Sequence, residues 1–298
     1  MARPLDWTRD GPVWPHHEAS RFVALPGLRW HVQQIAAPPG APTVLLLHGT
    51  GASTHSWRGV MMALAGRLGL VAVDLPGHAF TGAPADPDRL GLPGMAAALA
   101  ELLHELRCAP ELVVGHSAGA AVGAQLCLDG ALQPAALVSV NGALLPLSGL
   151  AGSFFSPVAR LLARSTLVPR LFSWRASDPV VCRRLLEGTG SRIDAAGAAF
   201  YRRLLEDPGH VGGALGMMAR WDLQTFAREL PRLTVPLHLL VAERDLTLPR
   251  DQARQLHERL PRASLVRLPG LGHLAHEEDP AQVAHYVERL TKPIVKSS

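Results

Sequence analysis

The stretch Leu112 to Ala121, LVVGHSAGAA, constrains the fold more than any other part of the chain. Apolar residues suited to a buried parallel strand run straight into Gly115-His116-Ser117-Ala118-Gly119, and a small-residue helical pattern follows. A G-x-S-x-G turn between strand and helix is a nucleophile elbow: it strains the serine backbone, and the residues two before and two after must be small for strand and helix to approach. Gly115 and Gly119 meet that condition. Ser117 is therefore predicted at the carboxyl end of a sheet, near the positive end of a helix, with its hydroxyl presented to a substrate.

Other segments supply what such a serine needs. TVLLL, from Thr43 to Leu47, reads as a strand covered on both faces, and His48-Gly49-Thr50-Gly51 comes directly after it. Backbone amides of Thr50 or Gly51, together with that of Ala118, would form an oxyanion hole. Further strands are predicted near 70–73, 136–140, 237–241 and 265–268, with an opening antiparallel hairpin at 22–25 and 28–34. Helices are predicted near 56–68, 92–106 and 280–290. Asp245 lies just past one strand and His273 in the loop after the last, so the chain order is Ser117, Asp245, His273, the order of a hydrolytic triad on this architecture. Asp222, in MMARWDL, is the rival acid. His276, Glu277, Glu278 and Asp279 form a second polar cluster, whose acids read as caps on the final helix. Asp74 and His78 read as turn residues, because two ligands do not close a metal shell.

The chain has 298 residues, 48% hydrophobic and 18% charged, enough for one α/β domain with an insertion. Strand rhythm stops from Asn141 to Arg232, where arginine-rich amphipathic helices take over. Residues 141–232 thus read as a helical cap over a core formed by 1–140 and 233–298. Phe154, Phe155, Phe172, Trp174, Met217, Met218 and Trp221 are available to line an apolar pocket beneath it, the alternative for each being ordinary helix packing. Between Gly152 and Trp221 ten arginines face five acids, too scattered and too poor in interleaved aromatics for a nucleic-acid surface. No run of 18 apolar residues predicts a membrane span, and Met1 to Ser20 lacks the apolar segment of a secretory signal, so a cytoplasmic protein is expected. Cys108, Cys127 and Cys182 have neither metal-site nor disulfide-framework spacing and read as reduced core thiols; no cofactor and no metal is expected.

The HGTG, GHSAG, Asp and Gly-His framework resembles the α/β-hydrolase superfamily over nearly the whole chain. That resemblance implies an α/β-hydrolase fold: a mostly parallel eight-stranded sheet flanked by helices, with a helical cap insertion. Longer strings resemble one narrower group, the magnesium-chelatase accessory proteins of bacteriochlorophyll synthesis: HGTGASTHSW from His48 to Trp57, DLPGHAFT from Asp74 to Thr81, NGALLP from Asn141 to Pro146, MMARWDL from Met217 to Leu223 and GLGHLAHEEDP from Gly270 to Pro280. The second resemblance implies work in the magnesium branch of tetrapyrrole synthesis, with a porphyrin or its ester as the small-molecule substrate and magnesium-chelatase subunits as partners. The candidate substrate-binding residues are Trp57, Phe154, Met217, Met218, Trp221 and Arg220. Arg160, Arg164, Arg175, Arg183, Arg184 and Arg192 join Arg220 as candidate partners for propionate carboxylates. Serine at the elbow argues against dehalogenase or epoxide-hydrolase chemistry, which needs aspartate there. Two functions follow: a serine-type ester hydrolase, or a non-catalytic tetrapyrrole-binding, chelatase-assisting protein on a hydrolase scaffold.

Overall fold

The computed structural model describes residues 3–146, 167–176, 178–249 and 251–295. Its centre is an eight-stranded sheet: β1 (Ser20–Leu25), β2 (Leu28–Ile35), β3 (Thr43–Leu47), β4 (Gly69–Val73), β5 (Leu112–His116), β6 (Ala136–Val140), β7 (Leu237–Ala242) and β8 (Ala263–Leu268). The order across the sheet is β1-β2-β4-β3-β5-β6-β7-β8. β1 pairs antiparallel with β2, β2 antiparallel with β4, and every other pairing is parallel. The expected fold class and all eight strands are present.

Alternation along each strand divides the core in two. Leu45, Leu47, Val113, Leu137 and Leu239 face one apolar layer, whereas Val44, Leu46, Val114, Val138 and Leu240 face the other. Strands apolar at every position must be covered on both sides, and helices do so. On the first face lie α3 (Leu92–Glu105) and α4 (Ala118–Leu128); on the second lie α2 (Arg58–Leu64) and a C-terminal helix, Pro280–Val295. The helix expected over 56–68 is shorter because Ala65 turns extended and Gly66 takes φ +74°; a 3-10 turn at Thr54–Trp57 precedes it. α4 is built from small residues because it presses on the sheet, where a side chain at Gly123 would lie 2.9 Å from Val113.

Between β6 and β7 stand α5 (Leu167–Ala176), α6 (Pro179–Glu187), α7 (Ala195–Leu205), α8 (Pro208–Arg220) and α9 (Leu223–Glu229). Asp178, Asp194, Asp207 and Asp222 cap α6 to α9, each accepting a backbone N–H that the helix cannot satisfy itself. After β7 come α10 (Gln252–Arg259), then α11 (Ala275–Glu278) and α12 (Pro280–Val295). The amino-terminal segment is fastened to α7 by Arg203, which donates to both carboxylate oxygens of buried Asp10 at 2.9 and 2.7 Å. The three cysteines are free thiols, and burial raises each of them, Cys127 to about 12, so none is primed as a thiolate. No described helix is long and apolar enough to cross a membrane.

Candidate active site

Four parallel strands end at one edge, and each delivers a different group there. β5 ends at Ser117, whose backbone is at φ 50°, ψ −116°, outside the ordinary range of a residue with a side chain. Packing enforces the strain. A Cβ at Gly115 would sit 2.4 Å from Ala120 Cα, and one at Gly119 would sit 2.2 Å from the Leu47 carbonyl. Ser117 N–H donates to the Val140 carbonyl at 3.0 Å, and the Ser117 carbonyl accepts from Ala143 N–H at 3.0 Å, which locks the turn to the end of β6.

β7 and β8 carry the other two candidates. Asp245 Oδ2 lies 2.8 Å from His273 Nδ1, with both side chains almost fully buried. Its second oxygen accepts from the Thr247 and Leu248 amides at 2.7 and 3.1 Å, which fixes the carboxylate plane. The rival Asp222 is spent on the N-terminus of α9, accepting from Gln224, Thr225 N–H and Thr225 Oγ1 at the exposed surface. His273 is held through its backbone. Its carbonyl accepts from Asn141 Nδ2 at 2.8 Å and from His116 Nε2 at 3.0 Å, while Asn141 Oδ1 accepts from the Ala242 amide at the end of β7.

A segment just after α6 ties the acid loop to the base loop. The Thr189 carbonyl accepts from Leu246 N–H and His273 N–H, both at 3.2 Å, and Ser191 Oγ accepts from Leu274 N–H at 2.8 Å. Glu278 completes the strap, accepting from Gly272 N–H at 2.6 Å and Arg192 N–H at 3.0 Å. At the crossing point Gly190 has φ +80°, and a Cβ there would lie 1.9 Å from the Arg244 carbonyl. Gly190→Ala is expected to destabilise the fold by about 2–5 kcal/mol through strain plus overlap, read as a lowered urea midpoint. An unchanged midpoint would mean that the two loops do not depend on this strap.

Ser117 and His273 share a cavity of about 310 Å³, walled mainly by apolar groups including Ala143, Met217, Met218, Trp221 and Leu248. Thr50 and Ala118 also line it, and neither backbone amide has an acceptor among the described residues. Gly51 does not line it; its carbonyl instead accepts from His210 Nε2 at 3.1 Å. Several expected binding residues lie elsewhere. Trp57 is fully buried beneath the site in the second core layer, its ring 4.5 Å from that of His276. Arg220 turns away, donating to the Gly216 carbonyl and lying 3.9 Å from Asp88. Phe172 and Trp174 are exposed on α5, and no described arginine lines the cavity, Arg175, Arg183, Arg184 and Arg192 included. Phe154, Phe155, Arg160 and Arg164 lie outside the described residues.

The model of the alpha/beta hydrolase family matches residues 44–286. The chain belongs to the α/β-hydrolase family. Among curated members, the protein named magnesium-chelatase 30 kDa subunit from Rhodobacter capsulatus is 38% identical over 264 residues, covering 89% of this chain and 91% of that one. RutD of Escherichia coli, provisionally named a carbamate hydrolase, is 28% identical over 254 residues, covering 83% of this chain and 90% of that one. Among solved structures, an alpha/beta hydrolase fold protein from Burkholderia ambifaria superposes with a TM-score of 0.74 at 21% identity, covering 96% of this chain and 99% of that one.

Beneath this candidate site lies a group of buried histidines that the sequence reading did not foresee. His48 Nδ1 donates to the Gly49 carbonyl at 2.8 Å and Nε2 accepts from Leu75 N–H at 2.9 Å, a pattern that fixes the neutral ring and the start of the HGTG loop. His210 is likewise neutral, accepting from Ala79 N–H while donating to Gly51. Burial pushes His48 and His78 down to about 3 and His210 to about 4, and holds His55, His116 and His276 well below the usual histidine range. Among the described residues no cluster of three or more His, Cys, Asp or Glu is arranged to hold a metal ion.

Two of the acids expected to cap the final helix do other work. Only Asp279 caps, accepting from Gln282 N–H. Glu278 belongs to the strap, and Glu277 is turned inward, where Arg58 Nη1 donates to one oxygen and Tyr201 Oη to the other. Burial raises Glu277 to about 7 against the opposing pull of Arg58. Asp74, expected as a turn residue, is fully buried; burial would raise its carboxyl, but the His31 imidazole at 2.7 Å and the Thr54 amide hold it down at about 2.

Proposed function

We propose that this chain is a serine hydrolase that cleaves an ester through an acyl-enzyme. The observation that carries the reading is His273, paired with buried Asp245 at 2.8 Å, lining the same cavity as a serine held at positive φ. In this mechanism Ser117 Oγ attacks the ester carbonyl while His273 Nε2 takes its proton. The Thr50 and Ala118 amides stabilise the oxyanion, and His273 returns the proton to the departing alcohol. Water then enters by the same route and frees the acid. Asp245 fixes the imidazole tautomer and stabilises its charged form. Residues 141–232 act as a cap on the core of 1–140 and 233–298, with Met217, Met218 and Trp221 as the substrate wall.

A cavity of about 310 Å³ is at the small end for ligand sites, which suits a short acyl group or the ester arm of a larger molecule. Similarity to a magnesium-chelatase subunit favours a tetrapyrrole side-chain ester, handled in the cytoplasm alongside chelatase subunits. The same similarity favours a second reading, a non-catalytic chelatase-assisting protein that has kept the scaffold. A fluorophosphonate probe applied to wild type, Ser117→Ala and His273→Ala, with pigment formation in cells carrying each variant, separates them. Hydrolysis as the biological role predicts labelling of wild type alone and loss of pigment in both variants. Normal pigment with Ser117→Ala would leave the assisting role.

A further inference from the structure

The amides of Thr50 and Ala118, which meet the oxyanion in the proposed mechanism, are held by the same device. Every described peptide is trans, so each amide N–H points away from the carbonyl of the residue before it, and pinning that carbonyl aims the N–H. For Ala118 the carbonyl belongs to Ser117, and it accepts from Ala143 N–H at 3.0 Å and Ala120 N–H at 3.2 Å. For Thr50 it belongs to Gly49, and it accepts from Ala52 N–H at 3.1 Å and from His48 Nδ1 at 2.8 Å. Three of these four donors are backbone amides; the fourth is the His48 side chain.

The His48 ring has one arrangement open to it. Nε2 accepts from Leu75 N–H at 2.9 Å, so in the neutral imidazole the proton sits on Nδ1 and is donated to Gly49. The ring is fully buried, and burial pushes it down to about 3, so it stays neutral. The peptide it holds lies against the nucleophile, because a Cβ at Gly49 would sit 3.0 Å from Ser117 Cβ. A hydrogen bond at the carbonyl also polarises the peptide and strengthens its N–H as a donor. We propose that His48 is a positioning residue for the oxyanion hole: by donating to the Gly49 carbonyl it turns the Thr50 N–H into the Ser117 cavity. Its effect on rate rests on the hydrolase reading, whereas the orientation of the Thr50 amide does not.

Two variants of the whole protein divide the ring between its nitrogens. Asparagine places an amide nitrogen as many bonds from Cα as Nδ1, so His48→Asn keeps the donor to Gly49 and gives up Leu75. Glutamine reaches the Nε2 position instead, so His48→Gln keeps an acceptor for Leu75 and gives up Gly49. With p-nitrophenyl acetate, His48→Gln is expected to lower kcat about 10- to 100-fold with KM within about twofold, short of the roughly 100- to 1000-fold cost of losing an oxyanion donor outright. His48→Asn is expected to recover most of that loss. Equal kcat in the two variants would overturn the proposal, because a merely structural ring does not distinguish its nitrogens in the rate. In the amide proton–nitrogen correlation spectrum of the free protein, the Thr50 signal is expected to move in His48→Gln and to stay near its wild-type position in His48→Asn. A Thr50 signal unmoved in His48→Gln overturns the positioning whatever the turnover. Wild type that neither hydrolyses the ester nor labels at Ser117 overturns the hydrolase reading instead. Near-UV circular dichroism identifies the variants that remain folded, and His48→Phe, which keeps a ring and removes the donor, makes the same comparison where His48→Gln fails to fold.

Discussion

Ser117→Ala is expected to lower kcat for an activated ester such as p-nitrophenyl acetate by on the order of 10⁶-fold while leaving the urea midpoint nearly unchanged. In the proposed mechanism nucleophile and base act as one unit, and the size follows from that. Without Ser117 Oγ there is no acyl-enzyme, and His273 has no proton to take. For the same reason the double variant Ser117→Ala, His273→Ala is expected to be no slower than either single variant, with a residual rate over water from the Thr50 and Ala118 amides and from binding alone. Asp245→Asn is expected to cost less, about 10⁴-fold, by offering His273 Nδ1 the wrong partner at 2.8 Å. Additive losses, with the double variant far below the singles, would mean that Ser117 and His273 do not share a reaction coordinate.

Ser117, Asp245 and His273 were legible as candidates in the sequence because each sits in a short string whose local shape is dictated by neighbouring residues. A strand that is apolar at every position, followed by glycines at fixed offsets, has few ways to fold. The supports of His273 were not legible. Asn141 and Thr189 reach His273 over separations of more than 80 residues in the chain, through a side-chain amide and a backbone carbonyl that leave no pattern in the composition. Trp57 illustrates the converse. It belongs to the oxyanion-loop string, but the 3-10 turn at Thr54–Trp57 swings it under the site into the core. Arg220 adjoins Trp221, which lines the cavity, yet its charge is better solvated at the rim beside Asp88. Glu277 was misread because an acid ahead of a helix usually faces its dipole. Here a separate turn, α11, aims it at Arg58 instead.

Lowering the pH from 6.5 to 5 is expected to unfold the protein cooperatively, and the buried histidines are the reason. His48, His55, His78, His116, His210 and His276 are all neutral and nearly inaccessible in the fold, with their folded pKa values depressed by burial. For a base with a depressed folded pKa, the stability contribution is fully present above the unfolded value near 6.5. It is lost as pH falls toward the folded value, because only the unfolded chain takes up protons. Each ring then costs about 1.4 kcal/mol per pH unit, and the six together about 8, against a typical total stability of about 5–15 kcal/mol. Glu277 runs the other way: with its folded pKa raised to about 7, its contribution is greatest at low pH and declines as pH rises through that window, one group against six. Asp74, held at about 2, contributes stability that is lost only below its unfolded value, outside the window. Near-UV circular dichroism followed against pH should show a midpoint between about 5 and 6, with several protons taken up per chain. His276→Phe sharpens the test. Neither nitrogen of that ring has a partner, and its faces meet Trp57 and His116, so phenylalanine keeps the packing and removes one titrating site. That variant should unfold at lower pH and with a shallower slope. A wild type that keeps its tertiary signal at pH 4.5 would show that these rings accept protons inside the fold.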